Sequence, residues 1–327
     1  MKIGLIDVDG HNFPNLALMR ISAYHKARGD DVEWWFSDME HYDIVYKSKV
    51  FSETYTGESE DPINADLVIK GGTGYSINTI NGMEVFDKES PKLPTQIEEM
   101  PPDYSIYPKY DFAVSMTTRG CPNNCAFCHV CAKEGRVSQR VADVGLFYNG
   151  QKIIKVLDAN ITACRDKRYI FRQYINTGAV IDFTQGLDIR LVDDDDIYDL
   201  GRMRIKRPHF AWDDPDVDLT PYFERFKARY RRKDPGTVYV LTNFGNGSTE
   251  DHIEKALYRI EVLRAIGFSP FVMVYDRPNA DPEILRMQRW CNNTKIFRSC
   301  DYSDFQKIAT DLEDKEQMSI FGRKNED

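Results

Sequence analysis

From residue 111 the chain alternates short apolar runs with helical stretches, six times over. The runs are "FAVSMTT", "KIIKVLD", "VIDFTQGLDIR", "RPHFAWD", "TVYVLTN" and "PFVMVYD". Such runs read as buried strands. The clearest helix follows Ser248, with apolar Ile253, Ala256, Leu257, Ile260, Leu263 and Ile266, a capping-box pair in Ser248 and Asp251, and a stop at Gly267. Strand–helix alternation of this kind implies a parallel sheet. Right-handed crossovers curl it into a partial (β/α)6 TIM-type barrel, expected over residues 111–300. In such folds the chemistry sits at the C-terminal ends of the strands.

The first third follows the same logic on a smaller scale. "KIGLIDV", "DDVEWWF", "DIVYKSKVF" and "DLVIK" read as strands, and Leu16, Met19, Ala23, Tyr24 and Ala27 follow helical spacing up to a stop at Gly29. Residues 1–90 are therefore expected to form a small Rossmann-like α/β domain with ligand-site loops at one sheet edge. Pro91, Pro94, Pro101, Pro102 and Pro108 mark 91–110 as an extended linker, because proline fixes φ and removes an amide donor. Residues 301–327 read as a C-terminal helix and a polar tail.

Charge is unevenly placed. Residues 1–110 carry 10 Lys+Arg against 19 Asp+Glu, and the rest carries 33 of each. That balance argues against a dedicated nucleic-acid partner, whose footprint is basic. The local exception runs from Arg202 to Lys233 and includes "RFKARYRRK"; it reads as a solvated helix face or as a phosphate contact. No apolar run approaches the roughly 20 residues that span a bilayer, and "MKIGLIDVDGHNF" has no cleavable signal pattern. Seven cysteines, four of them clustered, fit a reducing compartment better than a disulfide framework, so a cytoplasmic protein is expected.

The cluster is "TTRGCPNNCAFCHVC", directly after the first barrel strand. Cys121, Cys125 and Cys128 are spaced C-x3-C-x2-C, with Cys131 three residues on. Thiolates suit zinc or iron–sulfur centres. A closed structural zinc site usually takes four ligands as two separated pairs, whereas here three come from one tight loop. The loop resembles the signature of the radical S-adenosylmethionine (SAM) superfamily, C-x3-C-x-aromatic-C, with Phe127 as the aromatic residue. The "TRG" before it and Pro122 resemble the subgroup with an N-terminal cobalamin-binding-type domain. The resemblance implies that Cys121, Cys125 and Cys128 bind a [4Fe-4S] cluster and that SAM chelates the fourth iron. One electron from the reduced cluster then cleaves SAM to methionine and a 5′-deoxyadenosyl radical, which abstracts hydrogen from a substrate. It also implies a flavodoxin- or ferredoxin-type electron donor. Cys131 is a fourth ligand, a free thiol or a packing residue; the family pattern requires only the first three.

The same resemblance places SAM-binding groups at the strand ends. Asp158 and Asn160 in "VLDAN" match by position the groups that hold the SAM amino group, although the family's commoner Gly-Gly-Glu is absent. In "FTQGLDIR", Gln185, Asp188 and Arg190 alternate with apolar residues. Strand parity puts Asp188 and Arg190 on one side, where Arg190 pairs the SAM carboxylate or the two form a structural salt bridge. Trp212, Asp213 and Asn243 end the next strands as ribose, adenine or substrate contacts. Cys164, Cys291 and Cys300 read as buried small hydrophobes.

In the first domain, cobalamin-binding relatives carry D-x-H-x-x-G. Here Asp9, His11 and Pro14 give D-x-H with proline in place of glycine, Ser48 begins an S-x-V, and Gly71-Gly72 match the closing Gly-Gly. The set is a cobalamin site or a vestige of one that serves as a lid or platform. A cobalamin-dependent methyltransferase is thus one alternative. The other is a non-catalytic protein with a four-cysteine zinc or iron–sulfur centre at Cys121, Cys125, Cys128 and Cys131. A tRNA methylthiotransferase is not the expected reading, because the first cysteine of this sequence is Cys121 and no basic C-terminal segment follows the barrel run. Trp34-Trp35 and Arg225 to Lys233 are candidate substrate contacts, but neither specifies a chemical class.

Overall fold

The computed structural model describes residues 1–10, 13–80 and 83–307. The chain divides into two compact units at Lys206 and Arg207. The division falls inside the stretch expected as a single barrel, not at the expected linker.

The first unit opens with β1 (Lys2–Asp7), α1 (Leu16–Ala27), β2 (Asp31–Trp34), β3 (Tyr42–Ser48) and β4 (Ala65–Gly71). The four strands pair in parallel in the order β2-β1-β3-β4. All sit where apolar runs were expected. The Asn15 side chain caps α1 by accepting from the Ala17 and Leu18 amides, and Gly29 follows its end at φ +82°. No helix separates β2 from β3 or β3 from β4, so Leu67 and Ile69 of β4 remain exposed. An antiparallel hairpin of β5 (Ile77–Ile80) and β6 (Met83–Phe86) follows.

The proline-rich segment is not the extended linker that its prolines suggest. It holds α2 (Thr95–Glu98) and a 3-10 turn over Tyr104–Ile106. Ile97 and Ile106 join Leu18, Met19 and Ile21 of α1 in one buried cluster. Burying an isoleucine contributes about 1.5–3 kcal/mol, which offsets part of the ordering cost. Polar ties fix the path: Trp34 Nε1 donates to the Ile106 carbonyl at 3.0 Å, and the Tyr107 hydroxyl donates to Asp7 at 2.6 Å.

The unit continues through β7 (Ala113–Ser115), β8 (Thr118–Arg119), α3 (Val130–Glu134), β9 (Gln139–Arg140), β10 (Ile153–Val156), α4 (Lys167–Thr177), β11 (Val180–Phe183), α5 (Asp194–Arg202) and β12 (Arg204–Ile205). A second parallel sheet runs β12-β11-β10-β7. α4 buries Ile170, Phe171 and Tyr174, and the last two set ring edges against Phe183. The third expected strand ends at Phe183 rather than reaching Arg190. Gly186 turns the chain at φ +85°, and Asp188 caps a 3-10 turn over Ile189–Leu191. Asp188 and Arg190 are therefore not related by strand parity.

The second unit has β13 (His209–Ala211), α6 (Thr220–Arg229), β14 (Thr237–Thr242), α7 (Thr249–Ile266), β15 (Ser269–Val274), α8 (Pro282–Asn292) and α9 (Thr294–Ser299). Its parallel sheet runs β13-β14-β15 over a core of Phe210, Phe223, Phe226 and Phe268. Ser248 and Asp251 form the expected capping box of α7. Trp212 is 1% exposed and donates to the Val217 carbonyl, so it is a core residue. The exposed face of α6 carries the basic segment, while Phe223 and Phe226 face inward.

The molecule is thus mixed α/β with parallel sheets. The strands expected in one barrel lie in two hydrogen-bonded sheets, with β12 added. Residues 302–307 are helical where a C-terminal helix was expected, and the tail beyond lies outside the described residues. Among the described residues no helix is long and apolar enough to cross a membrane.

Candidate functional site

The cysteine loop is closed at its base by an antiparallel ribbon of β8 and β9, which pairs Thr118 with Arg140 and Arg119 with Gln139. Asp158, two residues past β10 and 3% exposed, grips that base. Its Oδ1 accepts from the Thr118 amide at 2.6 Å and from the Thr117 and Thr118 hydroxyls, each at 2.7 Å; its Oδ2 accepts from the Thr117 amide at 2.9 Å. A carboxylate offers about four acceptor positions, so the chain itself fills this one. Burial pushes the Asp158 carboxyl above the usual range, and the threonine donors pull it back only in part. The structure thus places Asp158 in loop support rather than at the amino group of a ligand.

Gly120 makes the entry turn. Its φ is +88°, and a Cβ there would lie 2.2 Å from the Val137 carbonyl oxygen. The Glu134 carboxylate accepts from the Gly120 amide at 3.1 Å, and the Cys121 amide donates to the Gly135 carbonyl at 3.2 Å. Within the loop the Cys128 amide turns back to the Cys125 carbonyl at 3.0 Å. Cys121 is buried, Cys128 half-buried and Cys125 exposed.

The sulfurs of Cys121 and Cys131 differ in what they face. Asn160 Nδ2 lies 3.5 Å from Cys121 Sγ and donates to it, so this sulfur is an acceptor. The Cys131 thiol is instead a donor, 3.0 Å from the Cys121 carbonyl and 2.8 Å from the Asn123 carbonyl. Burial raises its pKa, and the neighbouring Cys121 raises it further. Deprotonating Cys131 would set a thiolate against two carbonyl lone pairs. Cys131 is therefore bound into the loop backbone. A single zinc ion, at Zn–S about 2.3 Å, would draw its sulfurs to within about 4 Å of one another. Among the described residues, the group of three ligand-type side chains with atoms within 4.8 Å is His41, Asp43 and Asp66 at the starts of β3 and β4, not the cysteines.

Arg190 lies against this loop. It forms a fork on Asp188, Nε to Oδ1 at 2.8 Å and Nη2 to Oδ2 at 2.7 Å, and Asn123 donates to the same carboxylate at 2.7 Å. The Asp188 bond, and then the charges of Cys125 and Cys121, hold the guanidinium in its charged form. On Asp188, burial works against ionisation, but Arg190 and Asn123 outweigh it and lower the pKa. Arg190 is thus the salt-bridge member of the two readings and a fixed positive charge beside the loop. Gln185 is exposed and Phe127 half-buried. Asn123 and Thr117 were not singled out by sequence, and "TRG" did not reveal the structural parts of Thr118 and Gly120; "CPNNC" offers no hint that its first Asn pairs with a carboxylate 65 residues on.

No protein-family model matches the sequence, and no curated protein matches it.

The described members of the cobalamin set are engaged by the chain itself. Asp9 is 4% exposed and accepts from the Val50 and Phe51 amides; Ser48 Oγ accepts from Asn15 at 2.9 Å. A Cβ on Gly72 would lie 2.3 Å from the Lys49 carbonyl oxygen, whereas Gly71 meets nothing within 4 Å. Lys47 is fully buried and ties the 58–61 loop down through Glu58 and Asp61. His11 lies outside the described residues. Asp9 and Ser48 are thus taken up by contacts within the chain. Elsewhere Cys164 and Cys291 are buried, with burial pushing the Cys291 thiol up to about 12, and Cys300 Sγ lies 3.7 Å from the Ile296 carbonyl.

Proposed function

We propose that the chain is a radical SAM enzyme whose Cys121, Cys125 and Cys128 hold a 4Fe-4S cluster. The observation that carries the reading is the contrast between Cys131 and Cys121 in the cysteine loop. Cys131 donates to the Cys121 and Asn123 carbonyls, while Cys121 accepts from Asn160. Three ligands would leave one iron open to SAM, and a cluster held there would supply one-electron chemistry. The resemblance of the loop to the superfamily signature, with Phe127 at the aromatic position, supports the same assignment.

The chain's own residues divide the remaining work. Asp158 holds the loop base through Thr117 and Thr118, and Gly120 makes its entry turn. The Asp188–Arg190 pair, fastened to the loop by Asn123, keeps a cation beside the thiolates and offsets their charge. Gln185 stays in the reading as an exposed SAM contact at the end of β11. The strand–helix alternation from residue 111 is read as that of a partial (β/α)6 barrel, and the first sheet with α1 as a Rossmann-like domain serving as a platform. A reducing, cytoplasmic setting and a flavodoxin- or ferredoxin-type donor complete the proposal.

The test is cluster assembly. Anaerobic reconstitution with iron and sulfide is expected to give about four of each per chain, with a reduced-state spin-resonance signal that changes when SAM is added. Separate Cys121→Ala, Cys125→Ala and Cys128→Ala variants lose it. A signal indifferent to SAM, or one that disappears in Cys131→Ala, would move the protein to the four-cysteine, non-catalytic class.

A further inference from the structure

We propose that Asn160 is a positioning residue that sets the reduction potential of the iron–sulfur centre through an N–H···S hydrogen bond to Cys121. The inference rests on the cluster reading above and deepens it.

The amide is fixed on three sides. Asn160 is 3% exposed and caps the 3-10 turn Ile161–Ala163. Its backbone carbonyl accepts from Ser138 Oγ at 2.8 Å. Its Oδ1 accepts from Thr162 Oγ1 at 2.8 Å and from the Ala163 amide at 3.2 Å. A backbone amide is always a donor, so the oxygen must face Ala163 and the NH2 group must face Cys121 Sγ at 3.5 Å. The side chain cannot turn over without setting its NH2 group against the Ala163 N–H. It therefore serves as a held donor to one sulfur.

Hydrogen bonds to cluster sulfurs, together with burial, set the potential of an iron–sulfur centre. On reduction the cluster takes one electron from an external reductant, with no bond of the chain formed or broken and no proton leaving Asn160. The added negative charge is shared with the thiolates, so an N–H directed at one of them stabilises the reduced form more than the oxidised form. Asn160 thus raises the midpoint and eases reduction by the donor.

The experiment is a dithionite titration of the full reconstituted chain, monitored by electron spin resonance, on wild type, Asn160→Leu and Ser138→Ala. Ser138→Ala loosens the same network but leaves the NH2 donor in place. The expected result is a lower midpoint in Asn160→Leu, an unchanged midpoint in Ser138→Ala, and loss in Asn160→Leu of the exchangeable-proton coupling to the reduced cluster. A wild-type midpoint in Asn160→Leu, or an equal fall in Ser138→Ala, overturns the proposal. If Asn160→Leu does not fold, Asn160→Asp keeps the acceptors for Thr162 and Ala163 and is judged by the proton coupling, whose persistence overturns the proposal. Iron and sulfide are measured first. A wild type that takes up no four-iron cluster defeats the underlying reading, whereas a cluster indifferent to Asn160 defeats this inference alone.

Discussion

The Cys131 thiol lies 2.8 Å from the carbonyl oxygen of Asn123, inside the loop that carries the other three clustered cysteines. A thiol so placed fastens the loop as a donor. Replacing it with alanine removes one neutral hydrogen bond, worth about 0.5–1.5 kcal/mol. The Cys131→Ala protein is expected to keep its full iron and sulfide content and to unfold at slightly lower denaturant. Iron analysis beside a denaturant curve checks both; loss of iron with unchanged stability would make Cys131 a ligand.

Gly120 has no room for a side chain. An alanine there meets both the left-handed strain at φ +88° and a Cβ 2.2 Å from the Val137 carbonyl oxygen. Left-handed strain alone costs about 1–2 kcal/mol, and the clash with backbone adds to it. Gly120→Ala is expected to lose about 3 kcal/mol or more of stability and most of its iron uptake. A variant with wild-type stability would show that the turn relaxes freely.

Much of this architecture is legible in the sequence because local pattern carries it. The α1 helix, the β1, β3 and β4 strands, the Ser248–Asp251 cap and the cysteine spacing all follow from periodicity or composition within a few residues. What is not legible depends on distant partners. Nothing in "VLDAN" says that the Asp158 carboxylate is taken by Thr117 and Thr118, 41 and 40 residues earlier. Prolines in 91–110 point to a linker, yet Ile97 and Ile106 find an apolar face on α1 and overrule them. "VIDFTQGLDIR" alternates like a strand, but Gly186 adopts a positive φ and ends the pleat.

Arg20 of α1 is 5% exposed, with Nε lacking a hydrogen-bond partner and Nη2 reaching Ser115 Oγ at 3.4 Å. Burial, and then the charge of Arg119, push its pKa down to about 10. A buried charge without a close partner is costly, and apolar replacements of similar volume are often neutral or stabilising. Arg20→Met, which keeps the packed stem, is expected to leave stability unchanged or to raise it by about 1 kcal/mol. Thermal and denaturant unfolding check this; a loss above about 2 kcal/mol would mean the guanidinium is better paired than its geometry indicates.

Asp103 fastens the connector to α1 through Ser22 at 2.7 Å and Lys26 at 2.8 Å. Burial opposes its ionisation, but Lys26, Ser105 and Ser22 outweigh burial and hold its pKa at about 2, below the ordinary 3.8. The folded-state pKa is depressed, so the ionised form contributes stability that is fully present above about pH 4. That contribution fades as pH falls towards about 2. Asp103→Asn is expected to be less stable than wild type by about 1–2 kcal/mol at pH 6, with the gap narrowing below about pH 4. A gap constant down to pH 3, as about 1 kcal/mol is readily resolved, would remove the charged role of Asp103.

The most direct test of the central claim is product analysis. The reconstituted, reduced protein is incubated anaerobically with SAM, and 5′-deoxyadenosine is measured by mass spectrometry beside Cys125→Ala. The account predicts 5′-deoxyadenosine from the wild type and none from the variant. A wild-type protein that holds a verified four-iron cluster yet yields no 5′-deoxyadenosine would contradict it.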